Sequence, residues 1–485
     1  MLIRNLSSVK KKFDIVIIGA GPAGISLALE LEKKKFSIAL IEAGGRDYSL
    51  ESQNKYKGEL EGEFPKKPDV SRLRMLGGTT GHWGGTCRPL DEYDYKSWPL
   101  QKKDLNFYLP RATEILKIKN NFRDETINEN LKLIEFQVSA EKFGELKYFE
   151  RLEKSKLIHL FLNTPVISIE GKEFTTKKIN CFSEIDSNQF SIFGKIFVLA
   201  TGGIENSRIL LLQKLKEEIL FNHDIPIGNY WYEHPFTELG KAFINKENLK
   251  KKLNTSIDHF VNMFNAGDKS DAYSFSPTHN LIRNKNILNS CCWLVTHDRS
   301  NKGWKNIAKN LFCVAPILSS SYQKLLNKNA ACGATIYSSW EQNSEFSNRI
   351  VLSDIRDEYG NNQPKIIYKK SETVRDTART MIEEIGQYLI KNNLGRIAGN
   401  SFLYEKNEEY QSVAGWHHMG GTIMGNNTKV SVVDKNLKVH GSKNLFVIGS
   451  SVFPSGGHAN PTLTIIQLSL KLNDHITKNF LSFDS

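Results

Sequence analysis

The chain has 485 residues, of which 40% are hydrophobic and 24% are charged, so it has the composition of a globular protein with about two to four domains. Its formal net charge is +12, but the lysines are spread along the chain, which favours a solubilising surface over nucleic-acid binding. The six cysteines include no Cys-x-x-Cys pair, which excludes dithiol motifs and zinc motifs of that form, and they are too few for a disulfide scaffold.

Neither a secretory signal nor a membrane span is predicted. Residues 1–12 contain no apolar signal core, and no run approaches the ~18 apolar residues of a membrane-spanning helix. With reduced thiols as the expected state, these features predict a soluble cytoplasmic protein.

The first predicted elements form a βαβ unit around a Gly-rich turn. The apolar run 14–18 suits a buried parallel strand, the helical pattern covers 25–34, and a second strand covers 37–41. The turn has the pattern G-x-G-x-x-G, which lets a pyrophosphate approach the backbone at a helix N-terminus. Glu42 follows the second strand, where it can accept a hydrogen bond from a ribose hydroxyl. In this context the motif predicts a dinucleotide site, formed by Gly19, Gly21 and Gly24.

Two later segments are predicted to return to the same sheet. One is the apolar run 196–199, followed by a helix from about Glu205, and the other is 445–449. The polar segment 46–70 is predicted to loop outward from this sheet. The chain has one G-x-G-x-x-G fingerprint, which indicates one bound dinucleotide, either FAD or NAD.

The stretch 236–410 has a different character and is predicted to form most of a second, inserted domain. It contains an irregular Asn- and Lys-rich segment at 265–310, interpreted as a lid or specificity loop. It also contains a strand-like run at 349–352 and an amphipathic helix near 373–392.

A second Gly-rich loop follows the outward segment. Gly77 and Gly78 let the backbone approach a bulky ligand, and Thr79 and Thr80 can donate hydrogen bonds to it. His82 lies in the same loop beside a tryptophan. Taken alone, it is expected to be a hydrogen-bonding loop histidine.

The C-terminal block carries the candidate proton-transfer groups. Three histidines, His417, His418 and His458, are candidate bases, because a neutral imidazole can accept a hydroxyl proton. Asn460 can donate to a developing alkoxide without titrating. The sequence 460–462 also predicts the start of an apolar helix, whose positive N-terminal end would stabilise an anion.

Five blocks of the sequence, in this order, resemble the glucose–methanol–choline (GMC) family of flavoprotein oxidoreductases. The blocks are 14–24 with 42–44, 77–85, 200–208, 228–235 and 416–464. The resemblance is weakest in the block 228–235. The resemblance implies an α/β fold, α+β overall, with a Rossmann-like FAD-binding domain of the GMC type and an inserted substrate domain of sheet and helices. The FAD-binding domain would comprise 1–100, 151–235 and 411–485, and the substrate-binding domain 101–150 and 236–410.

The resemblance also selects among the candidate bases. The family's catalytic histidine stands seven residues before Met424, and its His or Asn partner stands six residues after Pro454. These spacings give His417 as the base and Asn460 as its partner, while His418 and His458 become neighbours of the site. The family implies no metal site. The cofactor-binding residues implied or predicted are Gly19, Gly21, Gly24, Glu42, Gly77, Gly78, Thr79, His82, Ala200, Gly449, Pro461 and Thr462.

The implied activity is FAD-dependent oxidation of the CH–OH group of a small-molecule alcohol. The loop 77–91 is most similar to that of sugar-oxidising members, which favours a sugar, polyol or glycoside. In some members a histidine at the position of His82 is bonded to the flavin, but the non-covalent state is favoured here. The alternatives are a flavin- or nucleotide-binding partner protein without catalysis and a nicotinamide-dependent dehydrogenase. The electron acceptor and the oligomeric state are left open.

Overall fold

The computed structural model describes residues 1–3, 12–64, 67–261, 271–296, 334–405, 407–409 and 412–483. Its strands are β1 (Lys12–Ile18), β2 (Ile38–Ile41), β3 (Glu59–Gly62), β4 (Thr86–Cys87), β5 (Asp124–Thr126), β6 (Leu131–Val138), β7 (Ile158–Phe161), β8 (Val166–Lys172), β9 (Thr175–Ser183), β10 (Asn188–Leu199), β11 (Pro235–Ile244), β12 (Ala272–Pro277), β13 (Ser290–Thr296), β14 (Ala334–Trp340), β15 (Arg349–Arg356), β16 (Asn362–Tyr368), β17 (Gly395–Gly399), β18 (Val413–Ala414) and β19 (Leu445–Val447). Its α-helices are α1 (Pro22–Lys33), α2 (Leu50–Asn54), α3 (Lys102–Asn106), α4 (Leu109–Leu116), α5 (Leu146–Glu153), α6 (Gly202–Lys214), α7 (Lys246–Leu253), α8 (Ile257–Val261), α9 (His279–Lys285), α10 (Glu372–Lys391) and α11 (Thr462–Asn479).

The first sheet has the order β7-β2-β1-β10-β9-β8, with β19 beside β10. Ile17 of β1 lies between Leu40 and Val198 in parallel register, and all three are fully buried. Such two-sided burial explains why the strand is a continuous apolar run. The two predicted returns of the chain are confirmed, because β10 ends at Leu199 and pairs with both β1 and β19.

The second sheet has the order β17-β11-β14-β13-β12-β6-β4, with β18 beside β11 and β5 beside β6. The prediction of an irregular segment over 265–310 is wrong for its described part, since residues 272–296 form β12, α9 and β13. Apolar residues of these strands, among them Phe275 and Leu294, pack into a core with α10. Residues 262–270 and 297–333 lie outside the described part of the chain, and so does the remainder of the predicted lid.

The segment 46–70 is not simply an outward loop. It contains α2 and β3, and β3 completes a small sheet of order β15-β16-β3. Leu60 stands opposite Ile366 in parallel register, and Phe64 contacts the rings of Trp231 and Tyr368. This apolar cluster holds the segment against the rest of the molecule.

Residues on both sides of the predicted domain boundaries contribute to each core. Leu105 and Leu116, within 101–150, are buried in the core of the first sheet. Conversely, β4 and β18 pair with the second sheet although they lie outside 236–410. The division of the chain at these boundaries therefore stays a prediction.

Helices α1 and α11 pack together on the first sheet. Ser469 Oγ donates to the carbonyl of Ala23, and Gln467 Nε2 donates to the carbonyl of Leu105, so α11 is held on two sides. Both helices begin beside the same cavity, as described below. Among the helices of the described ranges, none is long and apolar enough to cross a membrane.

Candidate active site

A cavity of about 460 Å³ joins the segments that the sequence singled out. This volume is typical of a ligand pocket, for which roughly 300–1,000 Å³ is usual. The wall includes the first Gly-rich turn, the loop at 78–85 and residues 415–418. The predicted site residues on it are Gly19, Gly21, Glu42, Gly78, Thr79, His82, Ala200, His417, Gly449, Asn460, Pro461 and Thr462.

Two predicted cofactor-binding residues, Gly24 and Gly77, are not on the cavity wall. A Cβ on Gly24 would lie 2.0 Å from the carbonyl oxygen of Gly19, so this glycine lets α1 approach the turn closely. Gly77 has φ +83°, and a Cβ there would lie 2.1 Å from the backbone nitrogen of Gly144. Both glycines therefore shape the backbone around the site instead of contacting a ligand.

The acidic residue after β2 is bonded within the first turn. Glu42 accepts from the backbone N–H of Ala20 at 3.0 Å and from that of Gly44 at 2.9 Å. Burial raises the pKa of Glu42, although these bonds and the charge of Arg74 oppose the rise. The carboxylate thus fixes the turn, and its remaining lone pairs face a cavity that it lines.

The N-termini of two helices fit an anionic ligand. Helix α1 starts at Gly21, where no side chain caps it and no acidic residue occupies the first turn; nothing lies within 4 Å of a Cβ built on Gly21. Helix α11 starts beside Pro461, again without a side-chain cap or an acid in its first turn. Exposed N–H groups at a helix start attract phosphate and other anions. The two helix starts are therefore suited to hold anionic groups of a dinucleotide such as FAD.

His417 and Asn460 meet on the opposite wall. The Asn460 Nδ2 amide donates to His417 Nε2 at 3.0 Å, although the residues are 43 positions apart. Burial lowers the pKa of His417 to about 4, so its imidazole is neutral near pH 7. A neutral imidazole beside an amide donor can accept a proton from a hydroxyl placed between them.

The second imidazole nitrogen of His417 also has a partner. His417 Nδ1 lies 2.9 Å from Nδ1 of His234, and the planes of the two rings are perpendicular, at 90°. His234 was not among the predicted site residues. The available signal was its place in the weakest of the five blocks, directly before Pro235.

His418 has partners of its own. Its Nε2 is 2.8 Å from Ser71 Oγ, its ring stacks on Trp231 at 5.7 Å, and its carbonyl accepts from Ser450 Oγ at 2.6 Å. Burial, with the nearby charge of Arg72, lowers the pKa of His418 to about 3. These contacts favour a structural role beside the site.

His458 is 2% exposed and does not line the cavity, and its ring packs edge-on against Phe136 at 5.9 Å. Burial lowers its pKa to about 4. The fold therefore separates His458 from the wall on which His417 and Asn460 meet. The interpretation of His458 as a neighbour of the site fits this placement.

His82 is exposed on the cavity wall, and its ring is 5.3 Å from that of Trp416. Burial of part of the ring, together with the charge of Lys142, lowers its pKa. Its position beside Trp416 on the lining of the cavity fits contact with the same ligand.

Three polar residues at the site were missed by the sequence analysis. Arg72 Nη1 and Glu205 Oε1 form a buried ion pair at 2.8 Å on the cavity wall. Burial opposes the ionisation of Glu205, but the charges of Arg208 and Arg72 lower its pKa to about 2. Glu233 is also buried, and burial raises its pKa to about 8, although the backbone N–H groups of 415–417 oppose the rise.

Two family models match the sequence. The model described as GMC oxidoreductase matches residues 344–469, and the model described as pyridine nucleotide-disulphide oxidoreductase matches residues 13–226. The second match covers the βαβ unit and β7 to β10. This match does not indicate a redox-active disulfide, because the described cysteines are all buried and free. They are Cys87, Cys181, Cys291 and Cys292.

Two curated relatives have about a quarter of their aligned residues identical to this chain. The fructose dehydrogenase large subunit of Gluconobacter japonicus is 26% identical over 299 residues, covering 61% of this chain and 49% of the relative. The 2-methyl-1,2-propanediol dehydrogenase of Mycolicibacterium austroafricanum is 25% identical over 293 residues, covering 60% and 49%. The matched region thus spans about half the length of each relative.

Solved structures share the fold over nearly the whole chain. Formate oxidase has a TM-score of 0.61 at 15% identity, covering 98% of this chain and 99% of that one. Pyridoxine 4-oxidase from Mesorbium loti has a TM-score of 0.55 at 13% identity, covering 95% and 98%. At such identities these likenesses show the fold alone, and the fold is the predicted α/β Rossmann-like type. The C-terminal family-model match, the fructose dehydrogenase relative and the shared fold together support the glucose–methanol–choline (GMC) oxidoreductase family for this chain.

Proposed function

We propose that this protein is an FAD-dependent oxidoreductase that oxidises the CH–OH group of a small alcohol. The single observation that carries the proposal is the pairing of His417 Nε2 with Asn460 Nδ2 at 3.0 Å on the wall of the cavity. A base and a neutral donor, placed side by side, are the groups that a hydroxyl oxygen needs as it loses its proton.

The chain's own residues supply the proton chemistry. The alcohol oxygen would replace the Asn460–His417 contact, donating its proton to His417 Nε2 and accepting from the Asn460 amide. The amide would stabilise the negative charge that develops on this oxygen. A bound flavin supplies a hydride acceptor for the alcohol carbon. His417 is neutral at physiological pH, so it is in the form that accepts the proton.

The two helix starts and the first turn would hold FAD. The N–H groups at the start of α1 would bind the pyrophosphate, and Glu42 would accept from the ribose. The start of α11, beside Pro461 and Thr462, would favour negative charge on the ring system. FAD is supported by these features and by the fold shared with formate oxidase of Aspergillus oryzae RIB40, whose FAD modification has been studied.

The substrate is proposed to be a sugar, polyol or glycoside. The two relatives are a fructose dehydrogenase and a 2-methyl-1,2-propanediol dehydrogenase, and both names denote substrates with more than one hydroxyl group. The substrate-binding domain is proposed to comprise residues 101–150 and 236–410, which supply most strands of the second sheet.

Non-covalent binding of FAD is proposed, with His82 contacting the flavin without a bond. Acid precipitation of the purified protein should leave the yellow flavin in the supernatant. Flavin that stays with the precipitate in wild type but is released from His82→Ala would instead show a covalent link through this histidine.

The proposed function is tested by absorbance and by anaerobic reduction. The purified protein should show flavin absorbance bands, which a sugar, polyol or simple alcohol from a panel should bleach without oxygen. Readmission of air then distinguishes an oxidase, whose bands return, from a dehydrogenase that requires another acceptor. Protein that shows no flavin bands even after incubation with FAD would refute the proposal. A flavin that is reduced by NADH and by none of the alcohols would favour the nicotinamide alternative.

A further inference from the structure

We infer that His234 is a positioning residue that holds the proton of His417 on Nδ1, so that His417 Nε2 presents its lone pair to the alcohol. This inference deepens the proposed function and rests on its assignment of His417 as the base. His234 itself is not proposed to touch the substrate. It acts on the reaction by selecting one tautomer of the neighbouring imidazole.

The hydrogen bonds on both sides of His417 select that tautomer. At Nε2 the partner is Asn460 Nδ2, an amide nitrogen that can only donate, so Nε2 must be unprotonated. A neutral imidazole carries one N–H, and in His417 it must therefore be at Nδ1. That N–H faces His234 Nδ1 at 2.9 Å, which must be the acceptor.

The tautomer of His234 follows from that of His417. Because its Nδ1 accepts, its own proton is on Nε2, which is buried near the backbone of Gly456 and Gly457 but makes no hydrogen bond of good geometry within the described part of the chain. A Cβ on Gly456 would lie 3.2 Å from this Nε2 and 2.6 Å from Met419 Sδ. The glycine therefore leaves the space in which the His234 ring is held.

The backbone fixes the two rings relative to one another. Tyr232 and Met419 exchange two N–H···O bonds of 2.9 Å, and the N–H of Gly415 donates to the carbonyl of His234 at 3.3 Å. The segments 232–234 and 415–419 thus run side by side as a short antiparallel pair. His234 is also fully buried, which restricts its ring to one orientation.

The electrostatics of the pair differ from those of a histidine held by a carboxylate. Burial, followed by the charges of His417 and His458, lowers the pKa of His234 well below its ordinary value, so the ring stays neutral. The titratable neighbours that lower the pKa of His234 are thus histidines. In the described part of the chain, this imidazole pair has no carboxylate partner comparable to the acid that holds a histidine in a catalytic triad. A neutral acceptor orients His417 without strengthening it as a base, in agreement with the low pKa of His417.

The experiment compares the tautomer of His417 in wild type, His234→Asn and His234→Leu. Each holoenzyme is labelled with ¹⁵N-histidine, and long-range ¹H–¹⁵N correlation spectra report which ring nitrogen carries the proton. His417→Gln identifies the cross-peaks of His417 by their loss. The FAD retained by each variant, measured by absorbance, controls for a merely structural effect.

Wild type should show His417 protonated at Nδ1 and unprotonated at Nε2. Asparagine places an acceptor oxygen near the position of the histidine Nδ1, so His234→Asn should keep this pattern. His234→Leu offers no acceptor and should lose it, with the proton moving to Nε2. Should His234→Leu fail to fold, His234→Phe, whose ring fills similar space but offers no acceptor, takes its place and should also lose the pattern.

Two results would overturn the inference: an Nε2-protonated His417 in wild type, or a variant without an acceptor that keeps the Nδ1 proton. Neither result depends on an alcohol, because the spectra are recorded on the FAD-loaded protein alone. A protein that shows the expected tautomers but whose flavin no alcohol bleaches would refute the proposed function and not the hydrogen-bond geometry.

Discussion

At one end of the cavity the contacts come mainly from the backbone, and at the other they come from side chains. Glu42 is tied to the N–H groups of Ala20 and Gly44, while the uncapped start of α1 offers further N–H groups to a ligand. On the opposite wall, His417 and Asn460 contact each other through side-chain nitrogens. The first end is suited to hold an anion in place, and the second to move a proton.

The two ends of the cavity also differ in how far the desolvation of their buried titratable groups is offset by hydrogen bonds. The carboxylate of Glu42 is buried but has two backbone donors, so its desolvation is partly offset. At the reactive end burial lowers the pKa of His417 and raises that of Glu233 to about 8. Groups with shifted pKa values often gather where chemistry occurs. If this comparison is correct, substitutions at one end should change FAD occupancy, and those at the other should change the rate.

The largest expected effect is on the rate. His417→Ala should slow flavin reduction by a saturating alcohol about 10²- to 10⁴-fold, because the proton acceptor is lost. Asn460→Ala should slow it roughly 10²-fold or more, because a donor to the developing alkoxide is lost. Stopped-flow absorbance under anaerobic conditions measures both rate constants.

The matched control for these variants is His475→Ala, which removes a histidine of α11 that does not line the cavity. It should reduce flavin at the wild-type rate. FAD content should be unchanged in all three proteins. An equal rate in His417→Ala and wild type would contradict the role of His417 as the base.

The opposite result is expected at the nucleotide end. Glu42→Gln replaces one acceptor oxygen by a donor, so an N–H of Ala20 or Gly44 would lose its partner. A hydrogen bond to a charged group contributes about 1.5–3 kcal/mol, so FAD affinity should fall about 10- to 100-fold. The exposed Glu51→Gln is the control. Titration of the apoprotein with FAD measures the affinity. When saturated with FAD, the Glu42→Gln variant should reduce flavin at a near-normal rate. A large loss of this rate at full FAD occupancy would contradict the functional distinction between the two ends of the cavity.

The pH dependence of flavin reduction should reflect the lowered pKa of His417. The reactive form is the neutral imidazole, and its pKa of about 4 is below the ordinary 6.5. The neutral form is therefore complete above pH 6.5 and is lost only as the pH falls through about 4. As the pH is lowered, the rate constant of flavin reduction should stay constant to about pH 5, as far as His417 determines it. Below that pH it should decline. A decline centred near pH 6.5 would show that His417 has an ordinary pKa in the holoenzyme.

The smallest expected effect is on the pH dependence of stability. Burial raises the folded-state pKa of Glu233 to about 8 from 4.5, so its contribution to stability is full below 4.5 and is lost as the pH rises from 4.5 through about 8. Glu233→Gln cannot ionise, so its Tm should fall less than that of wild type between about pH 5 and 8, by the equivalent of about 1–3 kcal/mol in unfolding free energy. Thermal melts at several pH values measure this, with the exposed Glu247→Gln as control. Parallel curves for wild type and Glu233→Gln would show that Glu233 is not buried as an acid.

Local sequence signals predicted the nucleotide end well. The turn with Gly19, Gly21 and Gly24 is followed by α1, and Glu42 ends the next strand as predicted. The reason is that strand, turn and helix are neighbours in sequence, and each pattern is set by local backbone geometry and two-sided burial. By contrast, segment 46–70 is polar in sequence and 272–296 lies in an Asn- and Lys-rich stretch, yet both contain strands because their apolar residues pack against distant parts of the chain.

The sequence by itself determined the βαβ unit and the apolar strands that rejoin its sheet. The choice of His417 and Asn460 came from the motif spacing of the family that the sequence resembles, and it stays a prediction. The tertiary structure decided that His234, 183 residues before His417, faces its Nδ1. It also placed Gly24, Gly77 and His458 away from the cavity wall. The physical reason is that a hydrogen bond between distant segments and the desolvation of a side chain depend on packing in three dimensions, which local patterns of residues do not encode.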